Sequence, residues 1–181
     1  MAKPETQTGR RERMQEQREV PLHRIVGRRI RSEARVEFSH VDPYRHMTTA
    51  AYLEMAINHR FRAVLDVLGF DTLALAEDHG IAFINRDVHM EFRNFANLDE
   101  ALTIESWVEE VHASRMVVLV EIRKKVEGSL CCRIRLDLST FDLRQQRLIP
   151  VPKSLPSRRQ EPFEQLPWAE GHPKTDVPAS S

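Results

Sequence analysis

One long helical period followed by four alternating segments leaves this chain very few architectures. Leu53, Ile57, Phe61, Val64, Leu65 and Leu68 recur at helical spacing and predict a helix over about Thr49–Leu68. Thr48 stands where an N-cap belongs, and Gly69 where a helix ends in a left-handed residue. A shorter helix over Asp71–Asp78 takes Asp71 as its cap and stops before Gly80. Alternation then sets in. Ile84, Arg86, Val88, Met90 and Phe92 line one strand face, and Leu102, Ile104, Ser106 and Val108 the next. Met116, Val118, Val120 and Ile122 line a third, and Cys132, Ile134, Leu136 and Leu138 a fourth. Short connections at Ala96–Glu100, His112–Ser114 and Glu127–Ser129 make these neighbours antiparallel. An earlier run, Ala34–Val41, supplies a first strand. A sheet with one apolar face must bury it, and the long helix is the only cover available. The expected fold is α+β, a curved antiparallel five-stranded sheet wrapped around a long central helix.

The flanks read differently. Residues 1–32 carry no sustained apolar period and are expected to form a basic, disordered arm. From Pro152 onward stand six of the ten prolines, which predicts an extended tail over 152–181. The folded unit is then 33–151. With 41% hydrophobic residues in 181, the chain supports one core and not two.

Charge and cysteine content exclude several classes. Lysine and arginine balance aspartate and glutamate, so no global field favours nucleic acid or a membrane. The N-terminal arm is basic, and it could meet an anionic partner or be solvated. Cys131 and Cys132 are adjacent on a strand and point to opposite faces, so neither a shared metal nor a mutual disulfide is expected. They read as packing cysteines in a reducing, cytoplasmic compartment. No run of about 18 apolar residues predicts a membrane span. The N-terminus lacks the apolar core of a secretion signal. Glycines are scattered singly, with no phosphate-binding loop, and no Gly-x-Ser-x-Gly elbow marks a serine hydrolase.

The chemistry concentrates in Val41-Asp42-Pro43-Tyr44-Arg45-His46-Met47-Thr48-Thr49. If Ala34–Val41 is a strand, Val36, Phe38, His40 and Asp42 share a face, and Asp42 continues it to the start of the helix. Free backbone N–H groups gather at a helix N-terminus. A carboxylate beside such donors is what acyl transfer needs: a base or nucleophile, and a place for the oxyanion. An aspartate before Pro43 is equally a common turn-former. His40, His46 and Asp42 fit no standard metal-ligand spacing, and no metal is expected.

This run resembles the hotdog-fold thioesterases, specifically the 4-hydroxybenzoyl-CoA thioesterase-like family, whose motif reads roughly Asp-x-x-Gly-His-Val-Asn-Asn-x-x-Tyr-Leu. Asp42, His46, Tyr52 and Leu53 stand at the matching spacing, with Met47 for the valine. Arg45 replaces the glycine, and Thr48-Thr49 replaces the Asn pair. The resemblance extends over about Val36–Val151. Leu98-Asp99-Glu100-Ala101-Leu102 resembles the turn into the family's third strand, and His112-Ala113-Ser114-Arg115 the hairpin before its fourth.

The resemblance implies an acyl-CoA thioesterase that forms homodimers or homotetramers, sheets joined edge to edge, and needs no cofactor. It implies catalytic roles for Asp42, as base or nucleophile, and for the Thr49 backbone N–H, which would polarise the thioester carbonyl. His46 matches the motif histidine and would support Asp42 or shape the pocket; a structural histidine packing the turn is the other reading. Arg45, Thr48, Tyr52, Arg86 and Arg115 are the candidate substrate-binding residues, with Arg93, Lys124, Lys125 and Arg133 as further cations for CoA phosphates. Thr48 also reads as a cap alone, and Tyr52 as packing at the helix start. The alternative function is a non-catalytic hotdog domain that binds acyl-CoA or another apolar ligand; Arg45 and the threonine pair keep it open.

Overall fold

A computed structural model describes residues 18–159 and 162–168. Its centre is the helix α1, which runs Thr49–Ala63 and continues through a π-helical turn, Val64–Leu68. Thr48 caps it: the side-chain oxygen accepts from the Ala51 N–H at 3.2 Å. Gly69 ends it at φ 69°. A Cβ there would sit 2.8 Å from the Arg159 backbone nitrogen, so glycine is required both for the turn and for the close approach of the tail. The short α2, Thr72–Ala74 with a π turn Leu75–His79, is capped by Asp71 and ended by Gly80.

Five long strands wrap α1: β2 (Ile30–Arg35), β3 (Ile81–Phe92), β4 (Ala101–Val111), β5 (Arg115–Lys124) and β6 (Leu130–Asp142). They run antiparallel in the order β2-β4-β5-β6-β3, and the two-residue β7 (Arg147–Leu148) pairs with β6. Leu102, Ile104, Val118, Val120, Ile122 and Ile134 face the helix with at most 2% exposure. Burying an aliphatic chain of this size stabilises by ~1.5–3 kcal/mol. This is the hotdog arrangement.

The first strand departs from expectation. It lies at Ile30–Arg35, and Phe38–His40 forms a 3₁₀ turn. Phe38 is 83% exposed while Val36 is fully buried, so the two do not share a strand face. The alternation Val36-Phe38-His40-Asp42 is therefore not a strand period. His40 Nδ1 instead accepts from the Glu37 N–H and closes that turn at 3.0 Å. A bulge at Asn85–Asp87 breaks β3. Its buried side passes from Ile81 and Phe83 to Val88 and Met90, leaving Ile84 and Arg86 exposed.

The folded unit also reaches into both flanks. β1 (Arg18–Pro21) pairs antiparallel with β8 (Ser154–Ser157). Val20, Leu22, Ile25 and Leu155 are buried in the core. Ser157 Oγ bonds the Leu68 carbonyl, which fastens β8 to the end of α1. Four-residue strands that include prolines carry too little period to be read from sequence. Residues 1–17 and 169–181 lie outside the described residues.

The outer sheet face holds a buried charge cluster. Glu121, with 4% side-chain exposure, lies within salt-bridge distance of Arg29, Arg123 and Arg133, and Glu105 binds Arg29 and Arg31. These partners hold both carboxyls below the usual carboxylate range although burial opposes it.

Candidate active site

Asp42 is half-buried in a tight turn at the head of α1. Its Oδ1 accepts from the Tyr44 N–H at 2.9 Å and the His46 N–H at 3.2 Å. Its own N–H donates to the His46 carbonyl, and its carbonyl accepts from the Arg45 N–H. Arg45 takes φ 67°, the left-handed region where the family motif has glycine. A strained arginine thus stands at the glycine position of the motif.

A second segment braces this turn. Met47 N–H donates to the Ala96 carbonyl at 2.8 Å and Leu98 N–H to the Arg45 carbonyl at 3.3 Å. The Tyr52 hydroxyl accepts from the Ala96 N–H at 3.0 Å. The His46 ring stacks on Phe95 with centroids 4.4 Å apart. Tyr52 is 2% exposed and meets Phe92 edge-on. Burial pushes its phenol well above the usual range, so it stays protonated. Tyr52 ties the Phe95–Leu98 loop to the helix, which fits its reading as packing at the helix start. His46 is stacked on Phe95, which fits the structural reading.

Thr49 is exposed, on the first turn of α1. Among the described residues its N–H meets no acceptor. Thr48 is committed to its cap. Oδ2 of Asp42 also accepts no hydrogen bond among the described residues. Asp42, Arg45, His46, Thr48 and Thr49 are therefore brought together in one turn and helix start, rimmed by the exposed rings of Phe38, Tyr44 and Phe95.

The outlying cations divide. Arg93 pairs with Glu91, Arg115 with Asp137, Lys124 with Glu100, Lys125 with Glu33 and Arg133 with Glu121. Arg115 also opens β5 at the end of the sheet far from the turn, since that strand spans ten residues, about 30 Å. Within this chain it does not reach Asp42. Arg45 and Arg86 are exposed and have no carboxylate partner among the described residues.

A polar network under α1 escapes sequence reading. His59 is 4% exposed between Ser32 Oγ (2.6 Å from Nδ1) and Ser106 Oγ (2.8 Å from Nε2), and Arg60 Nη1 donates to Ser106 Oγ at 3.0 Å. Burial, with help from the Arg60 charge, lowers the His59 pKa to about 4. The signal was the spacing Tyr52, Met55, Ala56, His59, Ala63, which puts His59 on the buried helix face. Cys131 and Cys132 are free and fully buried, and burial pushes Cys132 up to about 12, so neither is poised as a nucleophile. No group of three or more His, Cys, Asp or Glu that could hold a metal occurs among the described residues, nor is any helix among them long and apolar enough to cross a membrane.

A helix-wrapped antiparallel sheet with an aspartate turn at the helix head defines a hotdog protein of the thioesterase type. The thioesterase-like superfamily profile matches residues 36–158, and the chain belongs to that family. It is 23% identical over 122 residues to the long-chain acyl-CoA thioesterase FadM of Escherichia coli (strain K12), covering 67% of this chain and 90% of that protein. The crystal structure of the probable thioesterase YbaW from Escherichia coli superposes with a TM-score of 0.60 at 23% identity, covering 67% of this chain and 89% of the other. That of Slr0204, a 1,4-dihydroxy-2-naphthoyl-CoA thioesterase from Synechocystis, gives 0.62 at 15% identity over 68% and 90%.

Proposed function

We propose that the protein hydrolyses an acyl-CoA thioester to the free acid and CoA. The observation that carries this reading is the pairing of an Asp42 carboxylate, with Oδ2 unengaged, and an unengaged Thr49 N–H at the head of α1 in a member of the thioesterase-like superfamily. As base, Asp42 takes a proton from water while the oxygen attacks the thioester carbonyl. The resulting oxyanion accepts from the Thr49 N–H, aided by the helix dipole. Collapse breaks the C–S bond, and the proton held by Asp42 passes to the departing thiolate. As nucleophile, the carboxylate would instead form an anhydride that water then opens. Single turnover in ¹⁸O-water separates the two, because only the anhydride route places label in Asp42 when water attacks its carboxyl. His46 shapes the turn, and no cofactor is required.

Arg45 and Arg86 are the proposed CoA-phosphate contacts, since neither is spent on an internal ion pair. β3 is a twelve-residue edge strand, paired among the described residues with β6 alone, and it exposes Ile84 and Phe92. An exposed edge of that length is a template for pairing with a second chain. A homodimer joined through β3, and a homotetramer built from it, provide the cover. Two free thiols fit a cytoplasmic setting.

The second reading is a non-catalytic hotdog domain that binds acyl-CoA or another apolar ligand. It is favoured by the use of Asp42 Oδ1 in its own turn. Thiol release from a panel of acyl-CoA esters decides between the two: turnover supports hydrolysis, and tight binding without turnover supports the binding domain.

A further inference from the structure

A cavity of about 270 Å³ lies beneath the C-terminal half of α1, between that helix, the start of β3 and the inner faces of β4 to β6. Leu22, Ile25 and Leu155 from the docked flanks close one side, and Phe61 and Leu73, both exposed, stand at its mouth. Its walls are almost wholly aliphatic and aromatic. Among the described residues one charged side chain lines it, Arg60.

Arg60 is unusual in what it lacks. Its guanidinium carries five donors, and among the described residues one contact is present: Nη1 to Ser106 Oγ at 3.0 Å. No carboxylate pairs with it among the described residues. Burial lowers its pKa to about 10, which leaves it cationic at neutral pH. His59 beside it is held neutral, so it neither competes for nor neutralises an anion. Ser106 Oγ, itself bonded to His59, holds Nη1 on one side, and Arg60 is among the residues that line the cavity. A cation in an apolar site without a counter-charge is costly to keep, and a bidentate carboxylate is the partner its geometry fits.

We propose that this cavity binds an apolar chain ending in a carboxylate, with the hydrocarbon against Ile57, Val64 and Leu136 and the carboxylate on the Arg60 fork. The carboxylate has two possible sources. It is the far end of an acyl group, which would make the enzyme selective for thioesters of dicarboxylic acids, or it is the head of a free fatty acid. Arg60 stands eleven residues after Thr49, about 16 Å along the helix axis at ~1.5 Å per residue, so the cavity lies apart from the head of α1. The binding claim stands on the cavity alone; the acyl-group source rests on the thioesterase reading.

The test is calorimetric titration of the full-length protein with octanoate and with octanol, which share a chain and differ in charge. Wild type is expected to bind octanoate at least tenfold more tightly. Arg60→Met is expected to abolish that preference while still binding octanol, and Arg60→Lys to retain part of it. Equal affinity of wild type for acid and alcohol overturns the proposal without any variant, as does an undiminished preference in folded Arg60→Met. The source is read from turnover of acyl-CoA esters of equal length ending in methyl or carboxylate. A KM at least tenfold lower for the carboxylate-ended ester, lost in Arg60→Met with kcat kept, assigns the acyl group. No such difference, with octanoate still bound through Arg60, assigns the free acid. Absence of all turnover removes the thioesterase reading and leaves the octanoate comparison to decide the cavity.

Discussion

Asp42 and His46 hold each other twice: the His46 N–H donates to the Asp42 carboxylate at 3.2 Å, and the Asp42 N–H donates to the His46 carbonyl at 3.0 Å. Between them Arg45 is forced to φ 67°. That conformation costs an L-residue roughly 1–2 kcal/mol, which glycine escapes at the expense of a more flexible unfolded chain. Arg45→Gly is expected to be neutral or to stabilise by up to about 1 kcal/mol, read from thermal melting, while KM for acyl-CoA rises through loss of a phosphate contact. A marked drop in melting temperature would show that the arginine side chain supports the turn.

Tyr52 carries the other brace. Its hydroxyl is the acceptor for the Ala96 N–H, and Ala96 is fully buried. Tyr52→Phe leaves that donor unsatisfied and is expected to cost ~1–3 kcal/mol in denaturant unfolding. It should also loosen the Phe95–Leu98 loop, visible as faster amide exchange there. Unchanged stability would mean that water or another group replaces the hydroxyl.

Much of this arrangement was legible in the chain. Leu53, Ile57, Val64 and Leu68 gave the helix, Thr48 and Gly69 its boundaries, Asp71 the cap of α2, and the clean alternation of β4 to β6 the sheet. Asp42, His46 and Thr49 were placed together because they are close in sequence. Other features depended on contacts that sequence spacing does not encode. Val36 and Phe38 mimic a strand period, yet a 3₁₀ turn intervenes. The bulge at Asn85–Asp87 reverses which side chains of β3 are covered. β1 and β8 are four residues each and stabilise only as a pair across the chain. The contacts of His59 and Arg60 exist only once the strands carrying Ser32 and Ser106 are laid against the helix.

His59 predicts a pH dependence. Its folded pKa, about 4, lies below the unfolded value near 6.5, so the unfolded chain binds the extra proton between the two. The neutral ring's contribution is fully present above about pH 6.5, and it is lost as pH falls toward 4, on the order of 3 kcal/mol at most. His59→Gln should be less stable at neutral pH and show a flatter decline over pH 6.5 to 4. An identical slope in wild type and variant would assign the acid sensitivity to other groups.

The β3 edge predicts an association. Ile84 is 44% exposed on that strand. Ile84→Asp places a charge where two copies would join and should shift the protein from dimer to monomer in light scattering. Activity should fall with it if the site needs both chains. A wild-type monomer, or a variant dimer of unchanged stability, would exclude pairing through this edge.

In the proposed mechanism Asp42 drives thioester hydrolysis beside the Thr49 amide. The most direct measurement is thiol release from acyl-CoA esters by wild type and Asp42→Asn, with folding checked by circular dichroism. Asparagine keeps an oxygen for the Tyr44 and His46 amides and removes the charge, so the turn should persist. Wild type is expected to turn over, and the folded variant to lose at least about 10²-fold in kcat. Equal rates in the two proteins, or no turnover of any ester by wild type, would contradict it.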